Sequence, residues 1–154
     1  MEERNQSVAP VTTRIAATGD DRDKCYRIRM VVFVEEQKVP PWEEMDHFDE
    51  DADHYLVESG GEPVATARLV DKGDRTGKIG RVAVLMEHRR LGIGELLMRR
   101  LVQDGLTRFE TLVLDAQLLV IPFYERLGFV AEGDVFLDAG IEHRRMTLNR
   151  DGPS

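Results

Sequence analysis

Arg81-Val82-Ala83-Val84-Leu85, then Met86-Glu87-His88, then Arg89-Arg90-Leu91-Gly92-Ile93-Gly94: in one short stretch the chain passes from a β-branched run to two arginines and two glycines that open a helical pattern. The first run reads as a strand. Beyond it, Ile93, Leu96, Leu97, Leu101 and Val102 recur at the spacing of an amphipathic helix from about Gly92 to Asp104, with Gly105 placed to end it. Glycines lacking side chains let backbone N–H groups approach an anion, a helix N-terminus carries partial positive charge, and Arg89 and Arg90 add formal charge. The stretch is an anion cradle between a strand and a helix.

Two other nucleotide-binding patterns fail on spacing. Gly73-Asp74-Arg75-Thr76-Gly77-Lys78 is one residue short of a P-loop and is followed by Ile79 where a hydroxyl is required. Gly92-Ile93-Gly94 begins like a dinucleotide fingerprint, but Leu97 stands at its third glycine.

Outward from the cradle, the pattern predicts a strand over 11–17 and a helix from Asp20 or Asp21 to Glu36, with Cys25, Ile28, Arg29, Val32 and Phe33 along one side. Pro40-Pro41 stops that helix. Strands follow over 55–58 and 63–70, joined by Ser59-Gly60-Gly61-Glu62, and over 79–85. After the cradle helix come a strand over 111–116, a short helix opening near Pro122 and closed by Gly128, and strands over 130–137 and 142–148 around Asp138-Ala139-Gly140. The expected fold is one mixed α/β (α+β) domain over residues 11–149, its largely antiparallel central sheet flanked by helices, with loose tails at 1–10 and 150–154.

At 154 residues the chain is long enough to bury one core without staples. It has no apolar run of membrane-spanning length and no signal-like N-terminus, so the expectation is a cytoplasmic protein with no membrane partner. The single cysteine, Cys25, excludes an internal disulfide and a thiolate-cluster zinc site, and a lone cysteine on an apolar helix side reads as core. A net charge of −8 argues against nucleic acid as a partner. That charge is concentrated: residues 35–54 hold nine acids against one base, Lys38, so this stretch carries all of it. It reads as a solvated acidic loop whose field favours cations. Asp49, Asp51 and Asp53 alternate as in a calcium loop, but His54 and Gly60 stand where glycine and glutamate are needed, and no metal is expected.

The cradle also resembles the signature of the GNAT superfamily of acyl-CoA-dependent N-acyltransferases, with Arg89, Gly92 and Gly94 in its fixed places. The resemblance extends to Val-Phe-Val-Glu-Glu-Gln at 32–37, Phe-Tyr-Glu-Arg-Leu-Gly-Phe at 123–129, and Phe-Leu-Asp-Ala-Gly-Ile at 136–141 with His143, which look like the ElaA-like and YjcF-like branch. It implies a GNAT fold and an acetyl-CoA-dependent N-acetyltransferase acting on a primary amine in a ternary complex. The pantetheine arm would lie along Val82, Ala83 and Val84, the diphosphate at Arg89, Arg90, Leu91, Gly92, Ile93 and Gly94, and Tyr124 would protonate the departing sulfur. Without the family context, Tyr124 reads as a core aromatic beside Phe123 and Phe129. Two departures appear: Lys78 stands where some members carry a glutamate base, and Gln117 where many have an asparagine that contacts the cofactor.

Three further side chains are acceptor-side or base candidates. His47 with Asp46 to orient it forms one pair, set against the reading of a surface histidine; His143 faces either the acceptor pocket or the core. Trp42 is expected to cap a hydrophobic cluster. The acidic stretch suggests a small cationic acceptor. A silent acyl-CoA sensor is the rival from another class, and a homodimer is compatible with the sequence.

Overall fold

The computed structural model describes residues 10–44 and 46–152. In chain order the elements are β1 Val11–Ile15, α1 Gly19–Arg29 continuing as a π-helix over Met30–Glu36, α2 Pro41–Glu44, β2 Asp53–Ser59, β3 Glu62–Gly73, β4 Thr76–Val84, α3 Ile93–Arg108, β5 Thr111–Gln117, α4 Ile121–Arg126, β6 Val130–Asp138 and β7 Ile141–Asn149. The strands form one seven-stranded sheet in the order β1-β2-β3-β4-β5-β7-β6. All neighbours are antiparallel except β4 and β5, so the mixed, largely antiparallel sheet is as the sequence pattern predicts. The β2–β3 turn places Gly60 and Gly61 at φ 60° and 85°, the left-handed pair that a two-residue hairpin of matching twist requires.

Alternation along β2 separates the two faces. Tyr55 and Val57 pack in the cluster that holds Leu97 and Leu101 of α3, whereas Leu56 packs with Cys25, Ile28 and Val32 from the α1 side. Cys25 is core, its Sγ 3.6 Å from the Tyr55 carbonyl.

Gly105 does not end α3. The helix runs through it to Arg108, and a Cβ at that position would lie 2.8 Å from the Leu112 side chain. The glycine serves close approach of helix to sheet, which periodicity alone cannot distinguish from a stop. The first helix is also not one regular α-helix. At the β-branched run Val31-Val32-Phe33-Val34 it widens, and the Gln37 N–H donates to the Val32 carbonyl at 3.1 Å. Crowding of branched side chains against the preceding turn disfavours regular α-helix there.

The acidic stretch is only in part a solvated loop: Glu35, Glu36, Glu43, Glu50 and Asp51 are exposed. Glu44 and Asp49 are buried, Asp46 caps a single 3₁₀ turn over His47–Asp49, and His54 is buried in β2. Trp42, by contrast, is 79% exposed and caps no cluster.

The feature that positions the site is the β4–β5 seam. These strands pair only at Thr76↔Thr111, Gly77↔Leu112 and Lys78↔Val113, and beyond Lys78 they diverge. On its other edge β4 carries one extra residue: Thr66 pairs Ala83 and Arg68 pairs Gly80, so Arg81 and Val82 together oppose Ala67. Arg81 accordingly takes φ 52°. A bulge sharpens strand twist, and it lies where β4 leaves β5.

Candidate active site

Between the diverging strands lies a cleft of about 1000 Å³. Val82 and Val84 of β4 line one side and Ala116 and Gln117 of β5 the other, with Tyr124 and His143 also in the lining. Among the described residues no strand pairs with β4 from Ile79 to Val84 on the fork side, where the Val84 carbonyl is taken by Arg89 and the other fork-side backbone groups have no strand partner.

Past the 3₁₀ turn at Met86–His88, Arg90 and Gly92 take φ 66° and 81°, and α3 begins. Its first intrahelical bond runs from the Leu96 N–H to the Gly92 carbonyl, leaving the N–H groups of Ile93, Gly94 and Glu95 outside the helical ladder. A Cβ on Gly94 would touch Phe123 and Val84 at 3.7 and 3.8 Å, so this glycine faces the cleft wall. Arg89 is already engaged. Its Nε donates to the Val84 carbonyl at 2.8 Å and its two Nη donate to Glu36 at 2.6 and 2.7 Å.

Tyr124 is 7% exposed and contacts Phe123 and Phe129 edge-on, with ring centroids 5.1 and 6.1 Å away. Burial pushes its hydroxyl up to about 12, so it carries its proton at neutral pH. Tyr124 is therefore at once a core aromatic and part of the cleft lining. His143 is 9% exposed, stacks on Phe136, and its Nδ1 lies 2.7 Å from the Ile141 carbonyl. A carbonyl only accepts, so Nδ1 carries the hydrogen and a neutral ring leaves Nε2 free to take a proton.

The far end of the cleft rests on a buried ionic network. Arg29, 1% exposed, donates from Nε to Glu44 at 2.6 Å and to both oxygens of Asp49 at 2.8 and 3.0 Å. Arg68 donates to Asp49 at 2.8 Å and to both oxygens of Asp46 at 2.7 and 2.9 Å. Arg81 reaches the Glu44 carbonyl at 3.0 Å and Asp46 at 3.2 Å. Burial opposes ionisation of Asp49, but the two guanidiniums, Arg29 foremost, outweigh it and hold the carboxyl at about 2.

A strand, a glycine-bearing turn and a helix N-terminus lie together beside a forked sheet. Residues 20–129 match the Acetyltransferase (GNAT) family. The chain belongs to the GNAT family. It is 36% identical over 137 residues to the uncharacterized N-acetyltransferase YjcF of Bacillus subtilis (strain 168), covering 86% of this chain and 95% of that protein. Among solved structures it is similar to an acyl-CoA N-acyltransferase from Pseudomonas aeruginosa, with TM-score 0.78, 32% identity, and 90% and 98% of the two chains covered. ElaA of Escherichia coli superposes with TM-score 0.79 at 26% identity, over 90% of this chain and 98% of ElaA. The chain is thus an acyltransferase of this family.

Within this GNAT chain the remaining sequence-level candidates are distributed unevenly. Asp46 spends its carboxylate on Arg68 and Arg81, and no hydrogen bond joins it to His47, which is exposed against Phe48 and does not line the cleft. Lys78 pairs with Asp115 at 3.0 Å, and Asp115 also accepts from Arg145 at 2.6 Å. Gln117 donates to Gln37 at 3.1 Å. Glu36, Gln37, Arg68 and Arg81 went unassigned at the sequence level. The one signal for such partners was Arg29, a charged residue in an otherwise apolar helical stripe. Among the described residues no group of His, Cys, Asp and Glu could hold a metal, and no helix is long and apolar enough to cross a membrane.

Proposed function

We propose that the chain transfers the acetyl group of acetyl-CoA directly to a primary amine held in the same cleft. The observation that carries this reading is the fork: an unpaired β4 edge from Ile79 to Val84 leads into the Arg89–Gly94 cradle, with Tyr124 lining the same space. These residues fit the cosubstrate. The β4 edge offers extended backbone to an amide-bearing arm, and the free N–H groups at the start of α3 offer donors to a diphosphate. When bound, acetyl-CoA supplies an activated acetyl thioester.

The chain's own groups supply the rest. The fork-side backbone N–H of Val84 stabilises negative charge on a carbonyl oxygen laid against it. Tyr124 holds a proton at its Oη for the departing sulfur. An alkylamine with pKa near about 10.4 is protonated at neutral pH and must lose a proton before attack. Nε2 of His143 is suited to receive it, directly or through water. A covalent acyl-cysteine route is disfavoured, because burial raises the Cys25 thiol and that side chain lies in the core under α1.

For the acceptor, pairing of Glu44, Asp46, Asp49 and Asp53 with arginines removes part of the field first assigned to the acidic stretch. Exposed Glu43 and Asp138 line the cleft without an ion pair among the described residues, and they support a cationic acceptor; Lys72, over the Phe48 ring, opposes them. The test is thiol release from acetyl-CoA against a panel of primary amines, with the N-acetyl product identified by mass. Product in equal amount to thiol supports direct transfer. Tight CoA binding with no release across the panel would leave only a binding module.

A further inference from the structure

Glu36 and Gln37 are adjacent at the end of the π-helical segment, yet they hold opposite arms of the fork. Glu36 grips Arg89, just beyond β4, through the two contacts of 2.6 and 2.7 Å, while Gln37 accepts from Gln117, the last residue of β5, at 3.1 Å. The same segment contributes Phe33 to the cleft wall. Two neighbouring residues thus form a strap across the opening between β4 and β5.

Arg89 is the arginine of the cradle, and a carboxylate occupies it in a two-pronged contact, the geometry a phosphate oxygen pair also adopts. The pair favours its own charged state: hydrogen bonding to Arg89 holds the Glu36 carboxyl below its ordinary value. Arg89 further satisfies the Val84 carbonyl, a backbone acceptor on the β4 edge. Both contacts lie where an anionic, amide-bearing ligand would seek them.

We infer that Glu36 is an internal stand-in for the cofactor's diphosphate: binding of CoA takes Arg89 from Glu36, loosens the Glu36–Gln37 strap, and so frees the π-helical wall on the acceptor side. The exchange is of one anion for another and needs no proton or covalent step. It makes cofactor loading the event that loosens the segment carrying Phe33 beside the cleft. This inference rests on the reading that the diphosphate docks at Arg89–Gly94, and its test separates the two.

The experiment is titration calorimetry of the full chain with CoA at fixed ionic strength, comparing wild type, Glu36→Gln and Arg89→Ala. A two-pronged, partly exposed pair is worth about 1 kcal/mol at most, so Glu36→Gln is expected to tighten CoA by about two- to fivefold. Arg89→Ala is expected to weaken it. Glu36→Gln with unchanged or weaker affinity, while Arg89→Ala weakens, overturns the strap and leaves the cradle. Unchanged affinity in Arg89→Ala overturns the cradle reading and the strap with it. In wild type, amide exchange reads the segment itself: residues 30–37 are expected to lose protection on adding CoA alone, and equal or greater protection overturns the release.

Discussion

Arg29 and Asp49, from the first helix and the turn before β2, meet through two parallel N–H···O contacts of 2.8 and 3.0 Å. Neither is satisfied by the other alone: Glu44 takes the Nε of Arg29, and Arg68 donates to Asp49. Burying such groups is tolerable because each charge finds several partners in fixed geometry. The pair ties α1, the acidic stretch and β3 into one wall at the end of the cleft.

Removing one member should therefore cost far more than a surface ion pair. Asp49→Ala is expected to lower unfolding free energy by about 3–5 kcal/mol, the scale for an orphaned buried charge. Urea denaturation followed by circular dichroism checks this, and a loss comparable to that of an exposed control, Asp51→Ala, would show that the network is not structural.

The same carboxyl gives a pH signature. Its folded value near 2 lies below the ordinary 3.8, so its contribution is fully present above the unfolded value and is lost as pH falls toward 2. Wild type is expected to lose stability between about pH 5 and pH 2 more steeply than Asp49→Asn. Denaturation midpoints measured across that range decide it.

Tyr124→Phe keeps the ring packing and deletes the proton. Turnover limited by chemistry should fall by roughly 10²–10⁴-fold with CoA affinity little changed. Because the hydroxyl is pushed up to about 12, its ionisation should not produce an alkaline limb near neutrality. Near-native single-turnover rates in the variant would return Tyr124 to packing alone.

Gly94→Val adds bulk at a position where a Cβ makes only ordinary contacts with Phe123 and Val84. The fold should survive while the approach to the α3 N-terminus narrows. Calorimetry should show CoA affinity lowered at unchanged melting temperature; unchanged affinity would place the cofactor elsewhere.

Charge at the cleft mouth is testable apart from the network. The double variant Glu43→Gln, Asp138→Asn should flatten the salt dependence of kcat/KM for an alkylammonium acceptor, with no effect for a neutral analogue. Asp49 is unsuitable for this purpose, since its loss would unsettle the wall. A salt profile unaltered by the double change would remove acceptor steering from the reading.

The sheet and the glycine turn that opens α3 were legible in the sequence because they rest on local patterns: short strand-like runs, paired glycines at a hairpin, and two glycines opening an amphipathic helix. What periodicity could not supply was tertiary. Gly105 looks like a helix stop and is a packing glycine against Leu112. Nine acids in residues 35–54 look solvated, but Arg29, Arg68 and Arg81 come from three separate elements to bury part of that charge. Arg29 in the apolar stripe carried the hint, and its partners lay beyond any local window. Asp46 and His47 were neighbours in sequence and looked like a pair, whereas folding gave Asp46 to two arginines.

The three-residue seam between β4 and β5 also bears on how the chain is assembled. From β1 to β4 each strand bonds to the one just before it, and β5, β7 and β6 bond among themselves. Within the first group β2, β3 and β4 follow one another through short turns, whereas β1 pairs with β2 across the whole first helix and acidic stretch, so loop closure is cheap only from β2 to β4. The meander from β2 to Val84 can acquire its ladder during synthesis, before β5 to β7 have left the ribosome. The cleft lies at the join between this part of the sheet and the β5-β7-β6 part, held there, among the described residues, by three residue pairs alone.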